Sequence, residues 1–399
     1  MPQVCIYLQL HQPDRLREVS LFEVGASKPQ YFAQGKQDEN RTIFRKVAAK
    51  SYLPMLGLLL KLVDEEPRFC FALSCSGVFL EQAERYQPEV LRLLQMLAQS
   101  GRVEFLTETY YHSLASLYSQ AEFERQVRMQ YEAVQQLFGV QPKVFRNTEL
   151  IYSNDVAAQV STLPFPILGM LTEAVDRYLG RNSKTSVFKS TGTPALQLLL
   201  KHAQLSDDVA FRFSDRNWQW YPLTVDRYLE WVQVYGETEV LNLFMDFETF
   251  GEHQWKDTGI FDFFTEFVRR FSDKEWNSFT TPQQIFSRIS HTQKLPEYNV
   301  PEPISWADVD RDLTAWRENA FQQDTLRLIY SVESKVLESK NKQLLEDWRR
   351  LQTSDHFYYM CTKWSADGDV HAYFSPYDSP HEAYRRFSIV LADLVGRMY

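Results

Sequence analysis

Cysteine is scarce. Only Cys5, Cys70, Cys75 and Cys361 occur in 399 residues, and no two form a Cys-x-x-Cys pair, which excludes the short-spaced zinc and redox centres built on that motif. The four read as reduced, mostly buried thiols. Positive charge is also in deficit: 43 Lys plus Arg stand against 52 Asp plus Glu, a net charge of −9. That field repels a phosphate backbone, so nucleic acid is not expected as a partner. Long apolar runs are missing too. The greasiest stretch, Met55 to Val63, is interrupted by Lys61, far short of the ~20 residues a membrane helix needs, and no membrane partner is expected. The chain opens MPQVCIYLQL without a basic leader or cleavage site, so the expected location is cytoplasmic. There is no Gly-x-Gly-x-x-Gly turn and no P-loop to hold a nucleotide.

Aromatic residues are abundant instead, 15% of the chain with nine Trp and 21 Tyr. That exceeds what a core needs, and rings with apolar faces and polar edges suit sugars among other ligands.

One plan recurs along the chain: a short apolar run with strand character, a polar cluster where it ends, then a helical stretch. Val4 to Leu10 runs into His11-Gln12-Pro13, and Arg68 to Leu73 into Ser74-Cys75-Ser76-Gly77. Val103 to Leu106 runs into Thr107 to His112, Lys143 to Phe145 into Arg146 to Glu149, and Val240 to Met245 into Asp246-Phe247-Glu248. Between them, Pro88 to Ser100 and Gln120 to Phe138 read as helices stopped by Gly101 and Gly139. Polar clusters at the ends of parallel strands fit a β/α barrel, whose functional groups converge on one mouth. Pro282, Pro296, Pro301 and Pro303 mark a boundary or connector. The expected layout is a barrel over residues 1–290 and a mainly helical domain over 291–399. Ser305 with Asp308 reads as a capping box, followed by Val309, Leu313, Trp316 and Ala320 at helical spacing. Phe357 to Phe374 reads as a hairpin or a long aromatic loop.

Alternation puts Asn242, Phe244, Asp246 and Glu248 on one strand face, and Phe145, Asn147 and Glu149 on one face of another strand. Glu104 lies inside a third. Carboxylates from separate strand ends can divide into an ionised group and a protonated one, as glycoside hydrolysis requires. The same description fits a metal-dependent deacetylase or a zinc-dependent mannosidase. Solvated loop acids are the bland alternative, and for Asp308, Asp310 and Asp312 so is service at a helix N-terminus. His202, His291 and His381 read as structural. Trp218 and Trp220, in the polar-interrupted segment Asn217 to Pro222, read either as sugar platforms or as core.

Five ordered segments carry a resemblance: HQP at 11–13, GRVEFLTETYYHSL at 101–114, FRNTELIYS at 145–153, MDFETFGEHQW at 245–255 and SWADVDRDLTAW at 305–316. Together they resemble the signature regions of glycoside hydrolase family 57, most closely its α-amylase branch. The resemblance implies an incomplete, seven-stranded (β/α) barrel of parallel strands as the catalytic domain, over 1–290, followed by a helical C-terminal domain, over 291–399, that contributes to the active-site cleft. It implies a retaining mechanism on α-1,4-glucans such as glycogen, starch or maltooligosaccharides, with an α-glucan as partner and no cofactor or metal. By position, Glu149 matches the catalytic nucleophile and Asp246 the general acid/base, and their joint presence implies a working enzyme. His11, Glu104 and Glu248 match positions around the cleaved bond, His112 and His253 lie in signature regions, and Asp312 of the fifth region is a further substrate-binding candidate. A 4-α-glucanotransferase on the same scaffold, a metal-dependent polysaccharide deacetylase and a non-catalytic glucan-binding barrel are the alternatives.

Overall fold

The structure, a computed structural model, describes residues 3–26, 29–32, 39–192, 194–236, 240–289, 294–363 and 375–398. Among the described residues two five-stranded sheets surround a core; besides the short strands Phe188–Ser190, Ser278–Phe279 and Glu297–Tyr298 they hold seven mutually parallel strands, β1 Gln3–Leu10, β2 Phe71–Cys75, β3 Val103–Phe105, β4 Val144–Arg146, β5 Gly169–Glu173, β6 Gln197–Lys201 and β7 Leu241–Asp246. They form two ladders, β3-β2-β1-β7 and β4-β5-β6. The ladders meet at two seams. At one, Thr107 N–H donates to Val144 O (3.1 Å) and Arg146 N–H to Thr107 O (2.9 Å). At the other, His202 N–H donates to Asn242 O (2.8 Å), and the Asn242 side-chain amide donates to Leu200 O (2.9 Å). The result is an incomplete barrel.

Register decides which residues face inward. Tyr7 lies opposite Ala72 and Phe244, and Gln9 opposite Ser74 and Asp246. The interior packs Cys5, Tyr7, Ala72, Leu106, Leu171, Leu199 and Phe244, while Val4, Ile6, Leu8 and Leu10 point outward into the helical layer, as a period of two demands. Helix Pro282–Arg288 plugs the N-terminal end of the barrel with Ile285 and Phe286. Inward residues one step beyond the apolar filling lie at the opposite mouth, so they can be polar without breaking the core.

The outer layer includes helices Leu53–Glu65, Gly77–Tyr86, Gln120–Phe138 and Ile260–Ser272. Gly139 stops the third in the left-handed region, at φ +71°, as its position predicts. A separate core joins Trp316, Leu326, Trp348 and Phe387 from helices between Thr314 and Gly396 with Leu16 and Tyr31 from the segment after β1. The C-terminal helices are thereby held over the mouth.

One expectation needs correction. Residues 305–313 are not the start of a helix: Asp308 and Arg311 both have φ +52°, Val309 is 67% exposed, and helices form only at Thr314–Arg317 and Ala320–Ser331. The aromatic segment after Phe357 begins inside a helix, Ser354–Tyr358, and its 364–374 portion lies outside the described residues.

Candidate active site

Glu149 does not sit on a strand. β4 ends at Arg146, and Thr148–Leu150 form a single 3-10 turn in which Glu149 (φ +56°) and Leu150 (φ +50°) are both left-handed. A non-glycine residue there is strained, and the surroundings hold it. Trp306 N–H donates to Glu149 O (3.2 Å), and the Trp306 indole Nε1–H donates to Glu149 Oε2 (2.7 Å). His112 Nε2 lies 3.3 Å from Glu149 Oε1, and the Ser354 hydroxyl is 3.4 Å from the same oxygen. Glu149 is one-fifth exposed.

His112 also lies 2.9 Å from Glu108 Oε2 through Nδ1. Burial opposes its charge, but the hydrogen bonds it donates to both carboxylates outweigh it, and its pKa is pushed up to about 9. Near neutrality both ring nitrogens therefore donate. Burial likewise raises the carboxyls of Glu149 and Glu108, yet the His112 hydrogen bond and charge, with the buried Arg146 guanidinium, hold both below the usual range. His11 stacks on His112 with ring centroids 4.0 Å apart. Burial and that neighbouring cation lower its pKa, so His11 is the neutral partner: its Nε2–H donates to Asp355 Oδ2 (3.0 Å) and its Nδ1 accepts from the Ser76 hydroxyl (2.7 Å).

Asp246, the last residue of β7, points into the same mouth and is part-buried. Burial and the negative charge of Glu149 raise its pKa to about 6, against the pull of Arg146 and Lys201. The expected alternation stops there, because Phe247–Thr249 turn into a 3-10 segment. Glu248 is nevertheless close: it accepts from the Tyr52 hydroxyl, and burial together with the Asp246 charge raises its pKa to about 8.

Other expected residues lie elsewhere. Glu104 points into the barrel but near its floor, where its Oε2 accepts from Gln283 N–H (2.8 Å) at the start of the plug helix. Asp312 caps Thr314, accepting from its amide (2.9 Å) and hydroxyl (2.7 Å), so it serves a helix N-terminus. Trp218 and Trp220 both make edge contacts with Trp231 on helix Val225–Gln233, and Arg227 covers Trp220; neither is brought to the carboxylates. His253 is tied through its amide to Glu248 O (2.9 Å), and burial lowers its pKa to about 4. His202 caps helix Ala203–Ala210, and His291 lies outside the described residues.

Several members of the site escaped sequence reading. Nothing in the local sequence singles out Glu108, Arg146 or Asp355, and Trp306 lies in the fifth signature region beside Asp310 and Asp312 with no mark to prefer it. Arg146 and Lys201 lie 5.0 and 5.4 Å from the Trp306 ring centroid, so the indole that grips Glu149 is flanked by two cations, which attract a π-face. A buried network of Glu173, Lys201, Asp207 and Arg311 anchors that arrangement. Among the described residues, no group of three or more His, Cys, Asp or Glu is arranged to hold a metal ion.

Comparison with known proteins agrees with this architecture. The family model for glycosyl hydrolase family 57 matches residues 5–299. The chain belongs to that family. A Methanocaldococcus jannaschii protein named "Putative alpha-amylase" is 36% identical over 394 residues, covering 96% of this chain and 82% of its own. Among solved structures, a family 57 branching enzyme from Thermococcus kodakaraensis superposes with a TM-score of 0.72 at 12% identity, covering all of this chain and 90% of its own. The 4-alpha-glucanotransferase from Thermococcus litoralis gives 0.66 at 15% identity over 90% of this chain. This chain spans 56% of the length of that enzyme, and at such identities the likeness is one of fold. Family membership makes the protein a glycoside hydrolase with a polysaccharide as substrate. Among the described residues, no helix is long and apolar enough to cross a membrane.

Proposed function

We propose that this family 57 chain is an α-amylase-type hydrolase that cleaves α-1,4-glucans with retention, through a glycosyl-enzyme on Glu149. The observation that carries the reading is the opposite displacement of two part-exposed carboxyls in one mouth: Glu149 is held below its ordinary pKa and Asp246 is raised to about 6. One is ionised and the other holds a proton to give, which is the division of labour of a glycosidase's carboxylate pair; retention is what the family resemblance implies.

In the first step Asp246 transfers its proton to the glycosidic oxygen as a Glu149 oxygen bonds to the anomeric carbon and the leaving sugar departs. In the second, Asp246, now ionised, takes a proton from water as that water attacks the anomeric carbon and releases Glu149. Trp306, His112 and Ser354 orient the Glu149 carboxylate, and Asp355, held in place by neutral His11, supplies a polar contact for sugar hydroxyls. Glu248 is a weaker candidate for the acid than Asp246. It is only 8% exposed, and its raised pKa is caused by burial and the Asp246 charge. The barrel is assigned to residues 1–290 and the helical domain to 291–399, a division supported by the separate core around Trp348 and Phe387.

Maltoheptaose tests the reading. Proton NMR of the first-formed products is expected to show α-anomers and shorter oligosaccharides alone. First-formed β-anomers would overturn retention, and products longer than the substrate would move the assignment to a 4-α-glucanotransferase.

A further inference from the structure

The turn that follows Asp246 has an outer side as well as an inner one. On its inner side Glu248 accepts from Tyr52. On its outer side Trp255 is 58% exposed, and Lys50 lies over its ring, 5.5 Å from the centroid. Tyr52 and Lys50 belong to one short segment, Ala48–Tyr52, wound as a π-helix, a local irregularity found mostly at functional positions. The two segments are locked together at Gly251. Its φ is +108°, and a Cβ there would lie 2.0 Å from the Lys50 carbonyl oxygen, so only glycine permits the contact.

From Trp255 an open groove of about 1300 Å³ runs down the barrel flank between helices Leu53–Glu65 and Ile260–Ser272. Leu58 and Phe261 add apolar floor, while Lys50, Asp262 and Arg269 line it with donors and acceptors. An exposed indole bordered by polar side chains matches the alternating apolar faces and hydroxyl edges of a pyranose chain. The groove also begins on the loop that carries Asp246 and Glu248, whose Gly251 and Trp255 line its upper end. We infer that this groove is a second binding site for an α-glucan chain, remote from the cleaved bond, with Trp255 as its platform. The inference rests on the α-glucan reading above.

Affinity electrophoresis of the full-length protein in gels containing glycogen tests it without requiring turnover. Wild type is expected to be retarded, and Trp255→Ala to lose affinity on the order of tenfold, the usual scale for truncating a central aromatic. Trp255→Phe, which keeps a ring, is expected to recover part of it. Glu149→Gln separates the two claims: it should lose turnover while keeping Trp255-dependent retardation. Equal retardation of wild type and Trp255→Ala, or none for either, would overturn the groove assignment and leave the cleavage reading intact. A change of oligomeric state in Trp255→Ala by size-exclusion chromatography, with retardation unchanged, would assign the face to another copy of the chain and overturn the proposal as well.

Discussion

Glu104 and Glu108 are four residues apart on one extended stretch, and their carboxyls behave in opposite ways. Glu104, at the barrel floor, meets the Gln283 amide and the Thr281 hydroxyl, and burial raises its pKa to about 7. Glu108, at the mouth, is more deeply buried, but the protonated His112 and Arg146 hold it below the ordinary range. Some 13 Å of extended chain thus separates an acid that is part of the scaffold from one that belongs to the reaction centre. Burial alone does not mark an active carboxylate; the cations around it do.

The largest test of that contrast is at the mouth. Glu149→Ala is expected to lower kcat on every α-glucan by at least about 10⁴-fold with little change in melting temperature, followed by reducing-sugar release and calorimetry. Asp246→Asn comes next, with a loss of roughly 10²–10⁴-fold on natural glucans and a smaller one on activated aryl glucosides, which need less protonation. In wild type kcat/KM is expected to fall as pH rises through about 6, where Asp246 loses its proton, and that alkaline limb should vanish in the variant. Equal losses on both substrate types would transfer the acid role to Glu248.

Trp306→Phe keeps a ring between the two cations but removes the indole donor. A hydrogen bond to a charged group contributes about 1.5–3 kcal/mol, so kcat should fall about ten- to a hundredfold. Losing a donor raises the pKa of Glu149, so the acid limb of kcat/KM should move to higher pH; a fixed limb would make Trp306 a packing residue. Glu104→Gln has the smallest expected effect on activity, within about twofold of wild type, and its signature is thermodynamic. Because the folded pKa of Glu104 is raised, its contribution favours folding at low pH and is lost as pH climbs from the unfolded value towards about 7. Above that range the variant should be more stable than wild type by on the order of 2–3 kcal/mol, and below about pH 4 the difference should close. Loss of activity without that stability signature would return Glu104 to the substrate site.

The β/α repetition, the polar strand ends and the C-cap at Gly139 were legible because each depends on local spacing. β5 and β6 went unread: Gly169–Glu173 and Gln197–Lys201 are short and mostly buried, and short apolar runs do not distinguish strand from buried helix. Glu149 and Asp246 were marked by their motifs, but the left-handed turn that presents Glu149 was not, since a non-glycine residue at positive φ is sustained by tertiary contacts. The same holds for Asp355 and Trp306. Asp355 meets His11 across 344 residues and Trp306 meets Glu149 across 157, so neither pairing leaves a mark on local spacing. Trp218 and Trp220 show the converse limit, for a polar-interrupted aromatic segment reads alike whether its rings face a ligand or one another.

The two seams of the barrel bear on how the acid and the nucleophile are spaced. Asp246 stands on β7 in one ladder, whereas Glu149 follows β4 in the other. Their separation is therefore not ruled by any continuous row of strand pairing. The two ladders are joined through Thr107 at one junction and through His202 and Asn242 at the other. A small rotation of one half-barrel against the other would widen or narrow the gap between the carboxyls while every rung inside both ladders stayed intact. Deuterium exchange at the amides of Arg146 and His202, compared with those in the middle of β1, reports directly on that hinge line.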